Sequence, residues 1–144
     1  MKKRTRLFGM LLTVCILMSN VTTVFAAGGE NAGIMPHWTD VSTISSRMEV
    51  DKWGIATISA SGQSSITSSA DSVELIVDLQ RYKDGKWETI KTWSDKPEAT
   101  FAAVYERYAI AKGYSYRLYL TVKAYQGNKL LETATDIYSY GAYN

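Results

Sequence analysis

The feature that most constrains this chain is the alternation of side chains between residues 114 and 125. Apolar and tyrosine residues occupy every second position there, and polar or charged residues fill most of the positions between them. Successive side chains of a β-strand point to opposite faces, so this pattern predicts a strand with one face against a core. A helix needs a repeat of about 3.6 residues, and no stretch after Trp38 has a convincing one.

Six further segments have strand-forming composition, and turn-forming residues separate them. Ser, Thr, Val, Ile, Tyr and Trp dominate these segments, and most of these types pack well on a pleated surface. The predicted strands are 41–50, 53–61, 73–82, 87–93, 100–108, 114–125 and 129–140. Asp84-Gly85 predicts a tight hairpin, because this pair accepts positive φ angles. Short strands at such intervals predict a seven-stranded antiparallel β-sandwich, with no linker or internal repeat.

The first 26 residues have the layout of an export signal. Four basic residues precede an almost wholly apolar run at 7–18. Val24 and Ala26 are compact residues placed so that cleavage is expected between Ala26 and Ala27. The apolar run has 12 residues, whereas a membrane span needs about 20. We therefore expect membrane contact only through the signal before its removal.

Cleavage divides the chain into a signal at 1–26, a flexible lead at 27–37 and a sandwich domain at 38–144. The lone Cys15 lies in the signal, so the mature chain carries no disulfide and no thiolate nucleophile. A domain without disulfides must be held together by its core. The 118 residues that remain after cleavage are enough to bury well over half of the unfolded surface.

Removing the signal reverses the sign of the net charge. The whole chain has 16 basic and 14 acidic residues, and four of the basic residues lie in the signal. The mature chain therefore has twelve basic residues against fourteen acids, a net charge of −2. Binding to a phosphate backbone needs a clustered excess of Lys and Arg, so nucleic acid is not an expected partner. We expect a secreted protein, either extracellular or associated with the cell envelope.

The entry to the predicted sixth strand resembles that of fibronectin type III and related immunoglobulin-like sandwiches. In those folds a turn glycine precedes a tyrosine that leads into alternating apolar positions, and the tyrosine hydroxyl bonds to the backbone upstream. Gly113 and Tyr116 match these two positions in segment 110–122. Lys112 departs from the usual proline. The resemblance implies that Tyr116 pins the crossover between the two sheets.

The mature chain is also similar to a family of small exported proteins of Gram-positive bacteria with no assigned function. The similarity rests on Trp38-Thr39-Asp40, Lys86-Trp87, Trp93-Ser94, Lys112-Gly113-Tyr114 and Glu132-Thr133-Ala134-Thr135. It implies secretion and an immunoglobulin-like fold. It brings no catalytic residues with it.

The residues that carry catalysis or bind metals are sparse. His37 is the only histidine, so neither a two-histidine metal site nor a second candidate base exists. The acidic residues are spread singly among the predicted strands and turns, although a pair of them could still act as in a glycosidase. We expect no enzyme, no metal and no cofactor, and we keep a small hydrolase as the weakest alternative.

Aromatic residues are the unusual signal, since 15 of the 17 lie after the signal. Exposed Tyr and Trp stack on sugars and anchor protein contacts, whereas buried ones fill a core. We assign Trp53, Trp87, Trp93 and Tyr116 mainly to the core. Tyr119, Tyr125 and Tyr138 form the candidate binding patch, on the hypothesis that all three point outward from the last two strands.

These observations favour a non-catalytic interaction module of the cell envelope or extracellular space. Its partner is expected to be a cell-wall glycan or another extracellular protein. The alternative is a secreted structural or effector protein that acts with a protein partner, of the toxin and immunity type.

The export signal gives the first testable prediction. The exported protein should begin at Ala27, because only that cut combines Val24 and Ala26 with the preceding apolar run. The intact mass of the protein recovered from culture medium measures this directly. A recovered form that retains residues 7–18 would contradict the expected secretion.

Overall fold

A computed structural model describes residues 37–144, and both the predicted signal and almost all of the predicted lead lie outside this range. The described chain is all-β, without a helix among residues 37–144. Its strands are β1 (Val41–Val50), β2 (Ile55–Ser64), β3 (Ser72–Lys83), β4 (Lys86–Asp95), β5 (Phe101–Ala109), β6 (Tyr114–Gln126) and β7 (Lys129–Tyr143). The prediction of seven strands is confirmed.

The strands form two antiparallel sheets that enclose one core. The three-stranded sheet has the order β1-β2-β5, and the four-stranded sheet has the order β4-β3-β6-β7. Every hydrogen-bonded pair of neighbours is antiparallel. Buried side chains from both sheets belong to the same apolar cluster, so the arrangement is sandwich-like.

The centre of the core is the pairing of β3 with β6. The apolar positions of the two strands face one another across the ladder, and their side chains are 0% exposed: Val73 with Ala124, Leu75 with Val122, Val77 with Leu120, and Leu79 with Leu118. The alternation predicted for β6 is therefore confirmed. Full burial of one such valine or leucine stabilises the fold by about 1.5–3 kcal/mol.

Gly62 lets the two sheets approach closely. A Cβ atom at this position of β2 would lie 2.5 Å from Cγ2 of Val122 on β6. Real Cβ atoms do not come so near a neighbouring carbon, and Val122 is fully buried. Any larger residue at 62 would therefore force the sheets apart or displace the core.

Tyr116 makes the backbone hydrogen bond that the sequence predicted. Its side chain is 1% exposed, and its hydroxyl donates to the carbonyl oxygen of Ala111 at 2.7 Å. Gly113 turns the chain between these two residues with a φ of 84°. Burial raises the pKa of the Tyr116 hydroxyl, which therefore stays a donor at ordinary pH.

The core assignment of Trp53 is wrong, because this side chain is 75% exposed. The Asp51 carboxylate organises the turn between β1 and β2, where its Oδ1 atom accepts the N–H groups of Trp53 and Ile55, each at 2.9 Å. This turn delays the start of β2 to Ile55 and leaves Trp53 at its tip. The Lys52 ammonium lies 4.5 Å from the Trp53 ring centroid.

The core assignment of Trp87 is also wrong. Trp87 lies opposite Tyr82 in the register of β3 and β4, on the face that points away from the core. The assignments of Trp93 and Tyr116 are right, because Trp93 packs against the core cluster and Tyr116 belongs to it.

Glu132 lies on β7, an edge strand of the four-stranded sheet, and it binds the backbone around the start of β1. Its carboxylate accepts the backbone N–H groups of Thr39, Asp40 and Val41 at 2.7–3.1 Å. Burial alone would raise the pKa of Glu132, but these three N–H groups outweigh it and hold the pKa below its ordinary value of 4.5.

One backbone N–H group of the edge strand β5 donates a hydrogen bond to a side chain. The N–H of Ala103 donates to the Asp95 carboxylate at the end of β4, at 3.0 Å. The N–H of Ile110, just beyond the strand, instead bonds inward to Gly54 at 2.8 Å. Asp95 therefore occupies a donor on the side of β5 where no strand is paired.

The hydrogen bond of Tyr116 gives a stability prediction. Tyr116→Phe should lower the free energy of unfolding by about 0.5–1.5 kcal/mol, because the part-buried hydrogen bond from its hydroxyl to the Ala111 carbonyl is lost. Tyr119→Phe should change it little, since Tyr119 lies on the outer face of the same strand. Chemical denaturation of both variants measures the difference. Equal losses would contradict the assigned roles of the two rings.

The Glu132 contacts give a pH-dependent prediction. The folded pKa is lowered, so the stabilisation is fully present above the unfolded pKa of about 4.5 and is lost as the pH falls through the folded pKa. Glu132→Gln should lower the free energy of unfolding by about 1–3 kcal/mol at neutral pH.

Denaturation of both proteins between pH 7 and pH 3 tests this expectation. The difference between them should shrink as the solution becomes acidic, because protonation removes the same charge from the wild type. Glu106→Gln is the matched control, since Glu106 makes no hydrogen bond or ion pair to any residue from 37 to 144. A difference for Glu132→Gln that stays constant with pH would refute the role of the carboxylate charge.

Candidate functional site

The structure does not bring the three predicted patch tyrosines together. Tyr119 and Tyr125 lie on the outer face of the four-stranded sheet, because the buried Leu118, Leu120, Val122 and Ala124 alternate with them. Tyr138 lies directly opposite Leu118 in the register of β6 and β7, and it packs against the core cluster. Directly paired residues share a face, so Tyr138 points to the core side.

Tyr125 is engaged by neighbouring side chains. Its hydroxyl donates to Oε2 of Glu74 at 2.9 Å, and the ammonium of Lys96 lies 4.3 Å from its ring centroid. Burial raises the pKa of Tyr125, and the Glu74 carboxylate raises it further. Tyr125 lies six positions beyond Tyr119 along β6, so their Cα atoms are about 20 Å apart. These two rings are therefore not a continuous platform.

Cations cover many of the aromatic rings in the described domain. Six pairs place a Lys or Arg charge over a ring: Lys52 over Trp53, Arg81 over Tyr114, Lys91 over Trp93, Lys96 over Tyr125, Lys112 over Tyr143 and Arg117 over Trp87. Proteins average roughly one such pair in 75 residues. A ring face that holds one of the protein's own cations is not free to stack on a ligand.

Among residues 37–144, the two most exposed rings without such a cation lie on the three-stranded sheet. Tyr105 is 72% exposed and Phe101 is 51% exposed, both on the edge strand β5. Ala102 and Val104 alternate with them and are buried, so both rings point away from the core. Within residues 37–144 neither ring lies under a cation, and the Tyr105 hydroxyl has no hydrogen-bond partner. Their faces are open to a ligand.

Small and polar side chains lie between and beside these rings. The register of β1, β2 and β5 places three rows across the outer face: Thr43, Gln63 and Phe101; Ser45, Ser61 and Ala103; Arg47, Ser59 and Tyr105. The middle row has only small side chains, so it is the floor of a shallow trough between the two ring-bearing rows. We call these nine residues the serine trough.

The dimensions of the serine trough follow from strand geometry. Phe101 and Tyr105 are four residues apart on one strand, which separates their Cα atoms by about 13 Å. The hydroxyl groups of Ser45, Ser59 and Ser61 bond to no other residue of the described chain. They are therefore free to exchange hydrogen bonds with water or with a ligand.

The arginines in and beside the trough form ion pairs. Arg47 forms an ion pair with Glu49 on the same strand. Arg107, on the row beyond Tyr105, lies 3.7 Å from the carboxylate of Asp51. The floor of the trough carries no charge. Its chemistry therefore suits an uncharged ligand that has both apolar faces and hydroxyl groups.

An open depression lies beside β1. It is lined by Met48, Glu49, Val50, Asp51, Thr57 and Tyr140. Both of its carboxylates are engaged, because Glu49 pairs with Arg47 and Asp51 holds the backbone of the β1–β2 turn. This arrangement leaves no free acid and base pair at the depression.

Among residues 37–144 no three His, Cys, Asp or Glu side chains are grouped so that they could hold a metal ion. No helix in the same part of the chain is long and apolar enough to cross a membrane.

Comparison with protein-family models and with curated proteins found no match to this sequence. The candidate site therefore depends on the geometry described above. Phe101 and Tyr105 were not among the predicted site residues. Their spacing of four positions places both rings on one face of a strand, but it does not say whether that face is the core or the solvent face.

Proposed function

We propose that this protein is an exported, non-catalytic binding module whose serine trough binds an oligosaccharide of the cell envelope. The observation that carries the proposal is the pair of uncovered rings, Phe101 and Tyr105, on either side of an uncharged hydroxyl-bearing floor. Most other aromatic rings of the described domain are buried, partly buried or lie under a cation.

Sugar chemistry fits this arrangement. The C–H faces of a pyranose ring are apolar and stack on aromatic rings, while its hydroxyl groups need hydrogen-bond partners. The trough offers rings at its two sides and the hydroxyl groups of Ser45, Ser59 and Ser61 between and beside them. The Cα atoms of Phe101 and Tyr105 are about 13 Å apart, so a ligand that contacts both rings must be extended, and the proposed ligand is an oligosaccharide and not a single sugar.

Three observations support the wider assignment. The apolar run at 7–18 and the compact residues at Val24 and Ala26 favour export. The division of seven strands into sheets of three and four is compatible with an immunoglobulin-like or fibronectin type III-like sandwich. The bond from the Tyr116 hydroxyl to Ala111 is of the kind found at the tyrosine corner of such domains. We include membership of the Gram-positive exported family in this proposal.

Replacing both trough rings should abolish retention on cell-wall glycan. The protein should sediment with purified insoluble cell-wall glycan, and the double variant Phe101→Ser, Tyr105→Ser should stay in the supernatant. Both rings are exposed, so their loss should leave the melting temperature nearly unchanged. Co-sedimentation followed by gel densitometry measures the retained fraction.

The matched control is the double variant Tyr82→Ser, Ile137→Ser on the outer face of the other sheet. These side chains are 44% and 48% exposed, so a similar apolar area is removed elsewhere. Retention that falls equally in both double variants would reject the trough as the site. A wild-type protein that is not retained would reject the glycan proposal and favour a soluble protein partner.

A further inference from the structure

Arg117 differs from the other arginines of the described chain in having no carboxylate partner. Arg47 pairs with Glu49, Arg81 pairs with Glu88, and Arg107 pairs with Asp51. No acidic side chain among residues 37–144 lies within 4.0 Å of the Arg117 guanidinium. Its charge is therefore not compensated by an ion pair.

Two contacts hold the Arg117 guanidinium in place. Its central carbon lies 4.4 Å from the ring centroid of Trp87, and its Nε–H donates to Oε1 of Gln80 at 2.7 Å. Tyr82 supports the same indole ring, with the two ring centroids 5.2 Å apart. The stacking and the single hydrogen bond fix the plane of the guanidinium. Arg117 therefore loses little further side-chain entropy when a ligand binds to it.

The terminal nitrogens of Arg117 are open to solvent. They make no hydrogen bond to any residue of the described chain. No buried side-chain nitrogen or oxygen atom in that chain lacks a partner, so these unpaired nitrogens are not buried. Two parallel N–H groups on one guanidinium form a fork that matches the two oxygens of a carboxylate.

Aromatic rings, uncharged polar side chains and a carboxylate lie on the same face of the sheet as the fork. Trp87 and the half-exposed Tyr82 lie beside the guanidinium, and Tyr119 is the next outward residue along β6. The Asp78 carboxylate lies on the same face, but it accepts a hydrogen bond from the Thr92 hydroxyl and pairs with no cation. A positive fork with aromatic neighbours is typical of the central anchors of protein interfaces.

We propose that Arg117 binds the carboxylate of an acidic side chain in a partner protein, and that an apolar residue next to that acid packs on Tyr82. Charge complementarity favours this occupant, because the uncompensated fork needs an anion and the adjoining rings need an apolar surface. This site lies on the four-stranded sheet, whereas the serine trough lies on the three-stranded sheet. The two proposals can therefore fail independently.

The test compares two small probes that differ only in charge. Acetyl-Phe-Glu-amide and acetyl-Phe-Gln-amide are titrated into the labelled protein, and NMR follows the Arg117 Nε–H and the Trp87 indole N–H. The Glu probe should shift both resonances and bind about tenfold more tightly than the Gln probe, the effect of one charge-assisted pair. Equal affinities would overturn the proposal.

Variants assign the effect to the arginine fork. Arg117→Lys keeps the charge but loses the fork, so it should reduce the preference for the Glu probe several-fold. The matched control Arg107→Lys, on the other sheet and outside the serine trough, should leave that preference unchanged. If Arg117→Lys does not fold, the two titrations of the wild-type protein still test the proposal, because the resonances that shift identify the residues that each probe contacts. Inorganic phosphate that moves the same resonances more strongly than the Glu probe would show a general anion site and overturn the assignment to acidic side chains.

Discussion

The pairing of β3 with β6 is the interaction on which the rest of the structure depends. Residues 37–144 contain no cysteine, so distant segments are held together by hydrogen bonds and side-chain packing and not by a disulfide. The fully buried positions of the two central strands meet across one ladder, and Gly62 lets the second sheet come down onto them. Tyr116 and Glu132 then fix the ends by bonding backbone groups far from the centre. Each outer face, including both proposed binding sites, takes its orientation from this inner pairing.

The distribution of cations separates two kinds of aromatic surface. On the four-stranded sheet, rings such as Trp87 and Tyr125 support Lys or Arg side chains, and there the cation is the group left to meet a ligand. On the three-stranded sheet, Phe101 and Tyr105 are uncovered, and there the ring itself is available. Aromatic residues therefore have different surroundings on the two faces. Aromatic content alone could not have distinguished them.

The sequence predicted the strands well because their alternation is strictly local. It also predicted the Tyr116 bond, since a glycine turn before a tyrosine has a specific geometric use. It failed for Tyr138, whose face depends on its register with Leu118, a contact 20 positions away in the chain. It failed for Trp53 because the Asp51 side chain, and not strand propensity, decides where β2 begins. Face and register are tertiary properties, and the trough and the fork depend on both.

The hydrogen bond from the Ala103 N–H to the Asp95 carboxylate affects how this protein can associate with other copies of itself. An unpaired strand edge can form a ladder with a strand of a second chain. The two exposed aromatic rings of β5 would strengthen such pairing. The Asp95 carboxylate already accepts one of the N–H groups to which an incoming strand would bond, and it adds a negative charge where that strand would lie. Glu106 adds another charge to the same short strand. Both charges therefore make pairing of this edge with a second copy of the chain less favourable, although two exposed rings lie on the same strand.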